Sequence, residues 1–172
     1  MRLFAATVML VLSGCSFSGQ HPCVFRGKPD YAPSAGCLAV VHGKMLVVDS
    51  LTGGVTPPGG KSLPGESAQC TAFRETREET GLELIPGQLV TVFDTGFHLY
   101  FCEIHAASGT IEPRTVEVKR GYWLDIRDFG AVRWRYPGQG EALRKLLSPQ
   151  TQDQPSPGDR VERSVPRPVY AD

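Results

Sequence analysis

The chain of 172 residues has no surplus of either charge, since 18 Lys and Arg balance 18 Asp and Glu. A protein that grips nucleic acid by neutralising phosphates needs an excess of cations, so nucleic acid is not expected among its partners. No apolar run reaches the roughly 20 residues needed to cross a hydrocarbon core. The Gly-x-Ser-x-Gly turn of serine hydrolases is missing, and so is a glycine-rich dinucleotide fingerprint. A structural zinc site is not expected either, because Cys102 and His105 stand in Cys-x-x-His spacing without a second such pair. The stretch from Gly54 to Ser62 has the outline of a phosphate-binding loop, but Val55 occupies a position that needs glycine, and Pro57 and Pro58 bring no amide hydrogens to a phosphate. No internal repeat is visible.

What is present fits one domain with a leader and a tail. Met1 and Arg2 are followed by an apolar stretch at residues 3–12, broken only by Thr7, with the dimensions of a signal-peptide core. Leu12, Ser13, Gly14 and Cys15 then resemble the lipobox of bacterial lipoproteins. That resemblance implies a signal peptide over residues 1–14, cleavage before Cys15, acyl chains on Cys15 and a tether over residues 15–36. An ordinary secreted protein with a chance cysteine there is the alternative. Ser16 follows the cysteine where lipoproteins kept in the inner membrane often carry Asp, so the expected location is the cell envelope, lipid-anchored, with the outer membrane favoured. Outside the cytosol disulfides are permitted. Cys23, Cys37, Cys70 and Cys102 then allow three pairings, while Cys70 and Cys102 also suit buried free thiols.

Along the rest of the chain, residues 20–36 suggest an irregular lead-in. Residues 37–41 and 45–48 predict two strands joined by a tight turn, and residues 52–65, dense in Gly and Pro, predict a loop. Residues 67–80 contain neither Gly nor Pro and predict a helix that starts at Glu66 or Ser67 and stops at Gly81. Strands are expected over residues 89–94, 97–105, 116–118 and 122–126, and a last helix over residues 140–147. Residues 148–172 have little to bury and are expected to be a disordered tail. Strands outnumber helices, and one central helix is followed by more strands, which argues for an α+β domain over residues 37–147 with helices on the faces of a sheet.

The central helix carries the chemistry. Glu75, Glu78 and Glu79 fall within one arc of about 100°. Three carboxylates on one stripe repel each other. Arg74, four residues before Glu78, can tether one of them, and the others need a counter-charge. A divalent cation with a taste for hard oxygen ligands supplies it, which selects magnesium, manganese or calcium over zinc. A solvated acidic helix face is the plain alternative.

The surroundings narrow the choice. Gly60, five residues, Glu66, seven residues, Arg74-Glu75, two residues, Glu78-Glu79, one residue, Gly81 and Leu82 resemble the Nudix box at every fixed position. Thr76 departs mildly, standing where a bulky apolar residue is usual, though its β-branched side chain can still pack. The resemblance implies a mixed β-sheet sandwiched between helices, Mg2+ as cofactor with Mn2+ as a possible substitute, and a small-molecule diphosphate as substrate. Carried over by position, it implies Gly60 (through its carbonyl), Glu75, Glu78 and Glu79 as metal ligands, Glu75 also as a candidate base, Arg74 as the residue that orients the glutamates, and Glu66 as a brace for the loop. Many family members place a further glutamate near the metals, and Glu117, on the approach to Trp123, is the loose match, with an exposed strand glutamate as its alternative. The expected reaction is magnesium-dependent hydrolysis of a diphosphate linkage in a nucleoside diphosphate derivative or a related envelope diphosphate. The competing expectation is a membrane-anchored lipoprotein that binds a diphosphate or a protein without catalysis.

Overall fold

A computed structural model describes residues 22–106 and 108–148 of the chain. The expected signal peptide, Cys15 and the expected tail beyond Ser148 lie outside the described residues.

Two sheets share a centre. One is mixed, with strands in the order β5 (Gly59–Lys61), β1 (Ser34–Leu38), β7 (Phe97–Ile104) and β6 (Leu84–Val92). Only β1 and β7 run parallel in it. The other is antiparallel and centred on β3 (Lys44–Ser50), which pairs with β2 (Val40–Val41), β4 (Val55–Thr56) and β8 (Val118–Asp125). Helix α1 (Ala68–Thr80) and helix α2 (Gln139–Leu147) complete the fold, with a 3-10 helix over Ile126–Gly130.

Alternation along β1 and β3 feeds two cores. Ala35, Cys37, Ala39 and Leu46 pack with Ala68, Ala72, Tyr100 and Cys102 on the α1 side. Leu38, Met45, Val47 and Leu99 pack with Leu124, Phe129 and Leu143 on the α2 side. A sheet buried on both faces must alternate between two apolar layers rather than between apolar and polar. The α+β class and the sheet between helices are therefore as expected.

Several boundaries differ. The single strand expected over residues 37–41 is divided at Ala39, so that β1 belongs to one sheet and β2 to the other. The irregular lead-in ends sooner, at Ser34, because residues 34–36 pair with both β5 and β7. The expected loop over residues 52–65 contains β4 and β5, two short strands whose Gly and Val residues carry no alternation to betray them. The strand expected from residue 89 starts at Leu84, since β6 is an edge strand and absorbs Pro86 and Gly87 where its register shifts. The two fragments expected at 116–118 and 122–126 are one strand, β8, carried through polar Lys119 and Arg120 by its pairing with β3. Helix α1 is as expected, with the Ser67 side chain accepting from the Cys70 amide at its start and Gly81 left-handed at its end.

The four cysteines of the described region form two disulfides, Cys23–Cys70 and Cys37–Cys102. The free-thiol alternative for Cys70 and Cys102 is thus replaced by pairing. Cys37–Cys102 ties β1 to β7 beneath α1, and Cys23–Cys70 fastens the lead-in to α1 itself. They join residues 47 and 65 apart in sequence. Non-reducing peptide mapping is expected to recover these two pairs and no others from the described region. The Cys37→Ala/Cys102→Ala variant is expected to lose about 2–4 kcal/mol of unfolding free energy by urea titration. Unchanged stability would mean that the pair does not form.

Candidate functional site

The acidic stripe of α1 is turned inward. Glu75 and Glu79 are both buried, at 8% and 7% exposure, whereas the side chain of Glu78 is about half exposed at 47%. Burying carboxylates is costly unless each finds a donor or a counter-charge. Glu79 finds the amide of Gly59, which donates to Oε2 at 2.8 Å. Glu75 Oε1 accepts from Arg74 Nη1 at 2.8 Å.

β5 fits against these carboxylates because it has no side chain at residues 59 and 60. A Cβ at Gly60 would collide with the carboxyl carbon of Glu75. The glycine at this position is therefore a demand of close backbone approach. The same approach brings the main chain of Gly60 into the neighbourhood of Glu75.

Arg74 is the hub. Its Nε and Nη2 donate to the two oxygens of Glu66 at 2.9 Å each, a forked pair. Nη1 also reaches Glu78 Oε2 at 3.3 Å, and Nη2 donates to the Lys61 carbonyl at 2.8 Å. Glu66 in turn accepts from the Leu63 amide and the Thr71 hydroxyl. The brace expected of Glu66 and the orienting role expected of Arg74 thus have their geometry. Thr76, the mild departure from the motif, is fully buried as its packing role requires, with its hydroxyl lacking a hydrogen-bond partner among the described residues.

Electrostatics separates the acids. Burial opposes the charge on Glu66, but the hydrogen bonds from Arg74, Leu63 and Thr71 hold its carboxyl below the ordinary range. Glu75 is pushed up, by burial first, with Glu78 and Glu117 adding repulsion and Arg74 opposing. Glu79 is pushed up to about 8 by burial, against the Gly59 amide, with Glu75 and Glu117 adding repulsion and Arg135 opposing. Glu117 therefore stands close enough to the α1 acids to be felt by both. It is exposed, its carbonyl accepts from the Leu51 amide at 3.2 Å, and it immediately precedes β8.

Glu75 and Glu79 thus share the buried seam, Glu117 lies within electrostatic range of both, and Glu78 sits at the outer edge. Among the described residues no three His, Cys, Asp or Glu converge into a preformed metal cage. Arg74 draws Glu75 and Glu78 to itself. The donor set still fits a hard divalent ion. Two buried carboxylates raised chiefly by burial, a third exposed one, and a main chain with no side chain in the way supply oxygen and negative charge in excess of the one arginine tied to them. Arg135 had no sequence signal. It lies on a loop outside the motif, and only the fold brings it near Glu79.

The model of the NUDIX domain matches residues 30–146. The chain is 31% identical over 112 residues to an NAD-capped RNA hydrolase NudC of Pseudomonas fluorescens, a match covering 62% of this chain and 41% of that protein. A second NudC, of Pseudomonas putida, is 31% identical over 114 residues and is likewise matched over 41% of its length. The chain thus spans about two fifths of the curated relatives it matches. Among solved structures, an ADP-ribose pyrophosphatase from Streptococcus suis superposes with a TM-score of 0.55 at 20% identity, covering 70% of this chain and 92% of that one. A NUDIX hydrolase from Nitrosomonas europaea gives a TM-score of 0.56 at 15% identity, covering 75% and 77%. These likenesses establish the fold.

A test of the buried acid follows from its charge. Glu79 rises from the ordinary 4.5 to about 8 on folding, so its contribution to stability is full below pH 4.5 and is lost as pH climbs to about 8. Glu75 has the same sign. Metal-free protein is expected to melt several degrees lower at pH 8 than at pH 5. Glu79→Gln is expected to remove most of that slope, and 10 mM Mg2+, taken here as roughly a saturating excess, to restore more stability at pH 8 than at pH 5. A melting temperature flat between pH 5 and 8 without metal would contradict the burial of Glu79.

Proposed function

The chain belongs to the NUDIX family, and from that premise we propose that it is a magnesium-dependent pyrophosphohydrolase. Its proposed substrate is a nucleoside diphosphate derivative or a related envelope diphosphate. The observation that carries this reading is the pair of buried carboxylates, Glu75 and Glu79, set against the bare main chain of Gly59 and Gly60. A helix of purely structural purpose gains nothing from burying two repelling acids.

Glu75, Glu78, Glu79 and the Gly60 carbonyl would hold Mg2+, and Mn2+ has the same preference for oxygen. When bound, such an ion neutralises a diphosphate and lowers the pKa of a water molecule. The chain's own residues do the rest. Arg74 keeps Glu75 and Glu78 facing one way, and Glu66 keeps Arg74 in place. Glu117 is the preferred base, because Glu75 is held by Arg74 while the carboxylate of Glu117 makes no hydrogen bond among the described residues. Water adds to phosphorus, its proton passes to the carboxylate, and the bridging oxygen leaves with the electron pair of the broken P–O bond.

The measurement is release of phosphate or a nucleoside monophosphate from a panel of diphosphates, with Mg2+ and again with EDTA. Glu78→Gln and Glu79→Gln are each expected to cut turnover by roughly 100-fold or more with circular dichroism unchanged, and Glu117→Gln to do the same while altering the pH–rate profile. Wild-type protein that binds a diphosphate and never cleaves one would establish a binding protein instead.

The proposed location is the bacterial envelope, with Cys15 lipidated and the outer membrane favoured. The two disulfides support export, since such bonds persist in oxidising compartments. Mass spectrometry of the mature protein is expected to find an acylated Cys15 at its N-terminus. An unmodified Cys15, or a Cys15→Ser variant still processed normally and held at the membrane, would remove the anchor without touching the catalytic reading.

A further inference from the structure

One arginine near the acids is placed with more care than an exposed side chain needs. Arg135 lies between the 3-10 helix and α2. Its amide donates to the Val55 carbonyl at 2.9 Å, and the Val55 amide donates to the Arg133 carbonyl at 2.8 Å, so this segment runs beside β4 as a partial extra strand. The contact is possible only because residue 54 is glycine. Gly54 has φ +92°, and a Cβ there would lie 2.6 Å from the Arg135 Cα. The preceding Trp134 is pinned as well, its Nε1 donating to the Phe129 carbonyl at 2.8 Å and its ring resting where a side chain at Gly140 would stand.

The guanidinium so positioned is nearly unspent. Nη1 donates to the Ser50 hydroxyl at 3.2 Å, and the group lies 5.7 Å from the centre of the Tyr136 ring. It has no carboxylate partner among the described residues, in contrast to Arg74, Arg77, Arg120 and Arg127. Ser50 adjoins Leu51, whose amide donates to the Glu117 carbonyl, so the Arg135 guanidinium and the Glu117 main chain meet at the same end of β3. An arginine with a fixed main chain, within electrostatic range of Glu79 and without an ion pair among the described residues, offers a planar fork of donors to an anion.

We propose that Arg135 binds the diphosphate of the substrate, donating to phosphate oxygens on the Glu79 and Glu117 side of the site. The assignment rests on the hydrolase reading above and deepens it. Arg74 cannot serve this purpose, because Glu66, Glu75, Glu78 and the Lys61 carbonyl already occupy its donors. The charge of a divalent ion held by Glu75, Glu78 and Glu79 is already offset by those carboxylates, so a diphosphate entering the site still lacks a counter-cation, and Arg135 supplies one. Its side chain adds charge to the site without supplying a ligand to the metal.

The sign of two affinities tests this. Full-length protein is titrated calorimetrically with Mg2+ alone, then with methylenediphosphonate in the presence of Mg2+, a diphosphate core that water cannot cleave. Arg135→Ala is expected to weaken the diphosphonate by about tenfold or more. Mg2+ alone should bind this variant as well as wild type or more tightly, because a cation has been removed from beside Glu79. Arg135→Lys should recover part of the loss, as a point charge without the fork. Diphosphonate affinity within about twofold of wild type would overturn the assignment. Parallel loss of both affinities with a lowered melting temperature would also overturn it, by showing that Arg135 only holds its loop. Wild-type protein that binds no diphosphonate would overturn the hydrolase reading together with it.

Discussion

Two carboxylates forced into the interior set the terms for the rest of this molecule. Glu75 and Glu79 sit at the seam between α1 and β5, where water cannot solvate them fully, and each must be compensated from the protein. Arg74 compensates one and the Gly59 amide the other. Neither arrangement is sufficient alone, since Glu79 remains raised and Glu75 remains raised. The residual imbalance is a standing affinity for positive charge. It also dictates the neighbourhood: β5 must be bare main chain, Arg74 must be locked by Glu66, and the loop before α1 must be short and stiff enough to present Lys61 and Leu63 to that lock.

That strain on α1 is tolerated because the helix cannot retreat. Its opposite face contributes Ala68 and Ala72 to a close-packed layer with β1 and β7, and small residues there let the helix lie close to the sheet. The Cys37–Cys102 disulfide links the two strands directly beneath. At the helix start, Asp30 acts as a clasp: its carbonyl accepts from the Ala68 amide, its amide donates to Gln69, and its carboxylate bonds His98 and Tyr100. The hydrogen bonds from Tyr100 and His98 more than offset the desolvation that works against that carboxylate and hold it below its ordinary range. A preorganised site needs its supporting residues fixed by packing and by such bonds.

How much of this could be read from the residues depended on the physical reach of each signal. The acidic helix, its caps at Ser67 and Gly81, and the Gly60–Leu82 spacing are local, and the structure forms them as the sequence predicts. β4 of the antiparallel sheet and β5 of the mixed sheet, both inside an apparent loop, were hidden because β4 is only two residues long and Gly59 and Gly60 pair through main chain alone, without side chains to alternate. β8 was broken in two by Lys119 and Arg120, whose place in a strand is decided by β3 across the sheet. Disulfide partners depend on Cα separations that only the fold determines. Arg135 belongs to the same class. Its proximity to Glu79 arises from a contact between Gly54 and the loop at Arg135, far along the chain, and composition carries no trace of it.

The entry of the chain into the domain completes the logic. The lead-in that would connect to a membrane-bound Cys15 does not run directly into β1. It is first fastened to α1 by Cys23–Cys70 and then by the Asp30 clasp. Any pull transmitted from an anchor therefore meets a covalent bond and a hydrogen-bonded cluster before it reaches a strand of the mixed sheet. Cys70 lies on the turn of α1 that precedes Arg74, so the fastening is made to the helix bearing the acids, at the end away from Glu79. A disulfide at this position can hold the lead-in without entering the seam where Glu79 meets Gly59.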